Sequence, residues 1–142
     1  MRSLFFLLLA AAPAAAQQLP VLQLTAGMHL VRAEVAADNP SRSQGLMHRK
    51  SLAPNAGMLF VFDAPALHCM WMRNTYIPLS VAFLDAQGAI INIADMQPHS
   101  EQSHCARRPA LYALEMTQGW FAQRGIKPGM KLGGIDQVAP RR

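Results

Sequence analysis

HCMWMRNTYIPLSVAFLDAQG, residues 68–88, is the stretch from which the fold of this chain can be read. Asn74-Thr75-Tyr76 separates two apolar runs, and Pro78 has no N–H to give to a central ladder. Residues 79–84 are apolar and rich in strand formers. Asp85-Ala86-Gln87-Gly88 reads as a hairpin turn, with Gly88 where a positive φ carries no steric penalty. Residues 89–96 return, with Ile91 and Ile93 on one face.

Working outward, residues 22–25 predict a short strand. Residues 28–36 alternate: His29, Val31, Ala33 and Val35 share one face, Arg32 and Glu34 the other, as in a half-buried strand. Asn39 can cap and Pro40 can open a helix over 41–49 that buries Leu46 and Met47. Residues 58–62 have no polar face and predict a strand buried on both sides; 67–73 predict the next one. Residues 97–109 form a long polar loop carrying His99, His104 and Cys105. Residues 110–116 predict a strand. A helix over 118–124 buries Trp120 and Phe121 and stops at Gly125. A last strand spans 131–135. Six to eight strands with no strand–helix–strand alternation predict a mainly β domain: a single antiparallel sandwich, jelly-roll-like, or a partly closed barrel, with two short helices.

The 142 residues suit one domain. Met1-Arg2 gives a positive start, residues 4–12 are apolar, and Ala14-Ala15-Ala16 offers small residues to a signal peptidase. The expected layout is a cleaved secretory signal over 1–16, an extension over 17–27, the β domain over 28–136 and a loose basic tail over 137–142. A retained anchor is the alternative, although the apolar run is short for a bilayer span. Cleavage predicts a periplasmic or secreted protein with no transmembrane span. It also takes Lys+Arg from 13 to 12 against 8 Asp+Glu, a net charge of about +4. The bases are scattered and not interleaved with aromatics, which argues against a nucleic-acid groove.

Cys69 and Cys105 are the two cysteines. An even count in an exported chain favours a disulfide, which would stabilise by roughly 4 kcal/mol through loop closure. Free thiols, or a redox or metal-binding pair, are the other readings, and no C-x-x-C spacing supports the last.

Chemistry is harder to find. Hydrolase, zinc-protease, phosphate-loop and dinucleotide motifs are absent. On a strand, His68, Met70 and Met72 would share a face, a soft set that suits Cu(I); filling an irregular core is the plainer role for the methionines. Copper is the one cofactor the residues suggest. Trp71 and Arg73 form either a stacked pair or a sugar platform, or simply a rim with arginine covering tryptophan. Glu115 stands mid-strand among apolar neighbours. It reads as a buried ion pair with Arg73 or Arg49; the sharper alternative is a general base acting on envelope glycans with Asp85 or Asp95.

Several blocks match a known pattern: Glu34-Val35-Ala36, Gln44-Gly45-Leu46-Met47-His48-Arg49, Gly57-Met58-Leu59-Phe60-Val61-Phe62, Trp71-Met72-Arg73-Asn74-Thr75, Ile77-Pro78-Leu79, Tyr112-Ala113-Leu114-Glu115, Gly119-Trp120 and Gly125-Ile126-Lys127-Pro128-Gly129. Over about residues 28–135 the chain resembles the DUF192 family of small, often exported proteins. The resemblance implies a mainly β, jelly-roll-like domain with short helices at the Gly-Leu-Met and Gly-Trp blocks, and it implies no reaction. Many members carry cysteines close together in the loop after the strand matching 89–96. Here Cys105 lies in that region and Cys69 just before Trp71-Met72, a departure that favours a bridge from loop to strand. The resulting expectation is an exported binding or structural domain, rather than an enzyme, whose partner is an envelope ligand or protein. Its binding rim would be Arg49, Trp71, Arg73, Asn74, Thr75 and Glu115.

Overall fold

The computed structural model describes residues 18–138. The expected signal over 1–16 and residues 139–142 of the basic tail lie outside them. The described chain forms strands β1 (Val21–Ala26), β2 (His29–Ala36), β3 (Ala56–Ala66), β4 (Cys69–Met70), β5 (Leu79–Leu84), β6 (Ile90–Met96), β7 (His104–Cys105), β8 (Ala110–Thr117) and β9 (Leu132–Gly133). Helix α1 (Asn39–Gln44) follows β2 and helix α2 (Trp120–Gln123) follows β8. A 3-10 turn, Ile135–Gln137, comes next, and Tyr112 Oη donates to Val138 O at 3.2 Å. Val138 is thereby tied to Tyr112.

Seven strands make one curled sheet in the order β6-β5-β8-β3-β2-β1-β9, and β4 and β7 make a separate two-stranded ribbon. β5 is LSVAFL and β8 is ALYALEMT, and both are buried along almost their whole length. A strand without a polar face needs cover on both sides. Inside the curl, Leu24, Val31, Leu59, Leu84, Leu114, Phe121 and Leu132 form one core. The curl is drawn together where Ile90 N–H donates to Met130 O at 2.9 Å and Leu132 N–H to Gly88 O at 3.0 Å. On the outer face, Met58, Phe60, Leu79, Val81 and Phe83 pack under Leu46, Met72 and Ile77 from the connecting segments.

The fold class is the expected one; several details differ. β2 and β3 pair in parallel, Arg32 opposite Ala56 through Ala36 opposite Phe60, with α1 in the connection. That strand–helix–strand unit escapes the sequence because alternation does not encode strand direction. α1 is shorter than 41–49. Asp38 caps it, accepting Ser41 N–H at 2.8 Å, and it stops at Gly45 in the left-handed region (φ 47°). Leu46 is still buried, from the turn after the helix. The strand expected over 67–73 shrinks to Cys69–Met70, because Met72 N–H turns to Ser100 O and Thr75 N–H to Met72 O. The loop over 97–109 contains β7, whose Cys105 faces Cys69. The two are joined by a disulfide across 36 positions. The turn at Asp85 is as expected: its carboxylate accepts the N–H groups of Gln87 and Ala89 at 2.9 and 3.0 Å.

Gly57 shows how tightly β3 and β8 meet. A Cβ there would collide with the Glu115 carbonyl oxygen and the Met116 sulfur. Overpacking of this kind costs roughly 1–3 kcal/mol. Gly57→Ala is expected to lower the urea-unfolding free energy by that amount, and a loss below about 0.5 kcal/mol would contradict the packing.

Candidate functional site

Along β8, side chains alternate between the two cores. Leu114 and Met116 point into the curl, so Glu115 points to the outer face, opposite Met58 of β3 and Val81 of β5. Only 3% of Glu115 is exposed. Its carboxyl forms part of the lining of a cavity of about 310 Å³. One wall is α1 and the turn after it, with Asn39, Arg42, Ser43, Gly45 and Met47. Phe60 and Phe62 of β3 form the second, and the ribbon with Cys69, Met70 and Trp71 the third, with Thr75 beside it.

The ion pair expected for Glu115 is not formed. Arg49 turns behind α1 and grips both oxygens of Glu34 at 2.8 Å. Arg73 lies 3.8 Å from Glu101 and covers the Trp71 ring at 5.5 Å. Arg42 lines the cavity, but its guanidinium donates to Ala37 O at 2.9 Å, Val61 O at 2.8 Å and Asn39 Oδ1 at 2.6 Å, and pairs with Asp63 at 3.2 Å. Among the described residues nothing donates to the Glu115 carboxyl. Burial without a partner disfavours the charged form and pushes its pKa up to about 8. At neutral pH it is chiefly a neutral acid.

The wall near Thr75 rests on three residues other than glycine in the left-handed region: His48 (φ 64°), Asn74 (φ 52°) and His99 (φ 63°). Two hydrogen bonds lock them together, His48 N–H to Asn74 O at 2.9 Å and His99 N–H to Thr75 O at 3.1 Å. Such conformations each cost energy and persist only where the surroundings hold them. Here three segments fix one corner of the cavity.

Of the rim residues expected from sequence, Trp71, Thr75 and Glu115 come together in the cavity. Arg73 and Asn74 stand just outside, and Arg49 belongs to the other side of α1. Trp71 is 44% exposed, with Arg73 over its ring. Phe60, Phe62, Met47 and Arg42 were not anticipated as site residues. Alternation from Met58, the β3 partner of Glu115, was the available signal for the two phenylalanines. The soft-donor set does not gather on one open face. Met72 is fully buried in the outer core, Met70 lines the cavity, and His68 stacks on Phe62 with Nε2 2.8 Å from Ala64 O. The carboxylates proposed to assist Glu115 are elsewhere. Asp85 holds its turn, and Asp95 accepts from Ser80 Oγ at 2.6 Å. Ser80 pairs with Met116, so it shares the sheet face opposite to Glu115.

The profile of DUF192, described as "Uncharacterized ACR", matches residues 22–134. The chain belongs to the DUF192 family. A Sinorhizobium meliloti 1021 crystal structure, named a candidate transcription regulator, is similar at 38% identity, covering 80% of this chain and 92% of that one, with a TM-score of 0.75. A Novosphingobium aromaticivorans DSM 12444 protein of unknown function is similar at 35% identity, covering 87% and 90%, also with a TM-score of 0.75. No curated protein matches. The curled sheet is thus shared with solved structures that are similar to this chain, and chemistry has to be argued from the cavity itself.

The Glu115 titration has a sign that can be checked. Its folded pKa, about 8, lies above its ordinary 4.5. Between those values the unfolded chain has lost the proton and the native chain has kept it, so native stability falls as pH rises through the window and levels off above it. Glu115→Gln removes this loss. The variant is expected to match the parent near pH 4 and to exceed it by on the order of 4 kcal/mol at pH 8. Parallel stability curves from denaturant titrations at the two pH values would contradict this.

Proposed function

We propose that this DUF192 domain is an exported binding domain and that its site is the cavity over Glu115. One observation carries the reading: a polar side chain that is almost fully buried, without a partner, belongs to a cavity with two kinds of wall, aromatic and thioether groups from Phe60, Phe62, Met47, Met70 and Trp71 and polar ones from Asn39, Arg42, Ser43, Gln44 and Thr75. The Glu115 oxygens keep what little accessible surface the residue has and lack a donor, and a ligand that completes their hydrogen bonds is favoured there. The strained corner at His48, Asn74 and His99 supports the same reading, since such strain concentrates where a site is held ready. Binding fits better than catalysis. Glu115 is the one carboxylate in the cavity lining, and hydrolysis of a glycan needs two.

Export is supported by the signal-like residues 1–16 and by the Cys69–Cys105 disulfide, a bond that persists in oxidising compartments. The name given to the Sinorhizobium relative raises DNA as a partner. The arginines nearest the cavity do not favour it: Arg42, Arg49 and Arg73 are each matched by an acid.

Ser43 lies at the cavity on the exposed side of α1. Ser43→Trp should fill the mouth without disturbing either core. In a thermal-shift screen of fragment-sized compounds, the parent is expected to be stabilised by at least one chemical class that leaves Ser43→Trp unmoved. Compounds that shift both proteins alike, or a screen that shifts neither, would count against the cavity.

A further inference from the structure

Resting on that reading, we infer that the group the cavity takes is a single organic cation, a guanidinium or ammonium on a slender apolar stem, seated against the Glu115 carboxyl. Three features point to this chemistry. The carboxyl has no donor partner among the described residues, and a cation supplies both donors and the opposite charge. Phe60, Phe62 and Met70 line the cavity with aromatic carbon and a polarisable sulfur, surfaces that favour a cation and an alkyl stem; one face of Phe62 is taken by His68. The volume of about 310 Å³ is at the small end for a ligand pocket, which suits a side-chain-sized guest.

The charges around the carboxyl leave the position open. From α1, Arg42 is held by Asp63 and by the Ala37 and Val61 carbonyls. From β3 and β5 the facing side chains are Met58, Phe60 and Val81, which do not titrate. From the ribbon come Met70 and Cys69, the latter in its disulfide, and from the following loop Trp71 and Thr75. His68 lies behind Phe62, and His48 bonds Tyr76 Oη at 3.1 Å. A sugar stacking on Trp71 would meet Arg73 on the covered face of the ring. An inorganic cation is best held by several charged or imidazole donors, and no group of three His, Cys, Asp or Glu side chains placed to hold one occurs among the described residues.

Seating the cation drives the proton off. Protonated Glu115 and the ammonium or guanidinium form a carboxylate–cation pair, and one proton passes to the buffer. Binding therefore tightens with pH until the carboxyl is ionised in the free protein as well.

The test is calorimetric titration of the purified protein with n-butylguanidinium, n-butylammonium and N-butylurea, the last a neutral isostere of the first. Runs in two buffers of different ionisation enthalpy count the protons released. The expected results are binding of the cations over the urea by at least about tenfold, release of close to one proton at pH 7, and about tenfold tightening from pH 6 to pH 7 that flattens above pH 8. Glu115→Gln, checked for folding by its melting transition, is expected to lose the cations and keep any weak urea binding. Blocked arginine, N-acetylated and amidated, separates the sources: binding as tight as n-butylguanidinium points to a peptide side chain, and weaker binding to a free amine or guanidine. Equal binding of the urea and the cations, or a Glu115→Gln variant with undiminished cation affinity, overturns the inference. If Ser43→Trp abolishes such charge-indifferent binding, the cavity stands and only the cation falls. If none of the probes binds at millimolar concentration, the cation falls, and the fragment screen decides the cavity separately.

Discussion

Two neighbouring strands without a polar face, β5 and β8, set the terms for this molecule. Apart from Glu115, their outward side chains are largely as apolar as their inward ones, so one layer of cover is not enough. The curl of the sheet handles the inner face by wrapping β1, β2 and β9 around a shared core. The outer face has no second sheet of comparable size. It is closed piecemeal by a six-residue helix, two loops and a two-residue ribbon. Cover assembled from such pieces leaves a gap, and Glu115 stands at the gap rather than under a fully packed layer.

The pieces are fastened individually. Arg42 bolts α1 to β3 by donating to backbone carbonyls at both ends of its reach, a use for which a planar, multi-donor cation is well shaped. The left-handed residues His48, Asn74 and His99 stitch the loops to each other. The disulfide holds the ribbon. None of these fastenings uses Glu115, which is why a buried acid is left over in an otherwise satisfied structure.

Local order was legible in the sequence where one segment carries its own instruction. Leu79–Leu84 was readable to the residue because an apolar run lies between Pro78 and the Asp85 turn. Trp120 and Phe121 were readable as buried because Gly125 ends their short helix. The place of Glu115 on β8 was readable from its neighbours. What was not legible depends on pairing between distant segments. The parallel β2–β3 register, the choice of Glu34 by Arg49, and the loss of the strand beyond Met70 each depend on groups far away in sequence. The cavity is the extreme case. Its walls come from α1, β3, β4 and β8 with their connections, so no window of sequence contains it.

Cys69 has two memberships, in the cavity wall and in the bridge to Cys105. The sheet itself contains neither cysteine, so its hydrogen-bonded ladders can assemble with both thiols reduced. The ribbon has only two residues in each strand, and it is held besides by Ala106 N–H donating to His68 O at 2.9 Å and by Asn92 Nδ2 donating to Cys105 O at 3.2 Å. The disulfide thus ties one wall of the cavity to the loop after β6, and none of the sheet's own ladders passes through that tie.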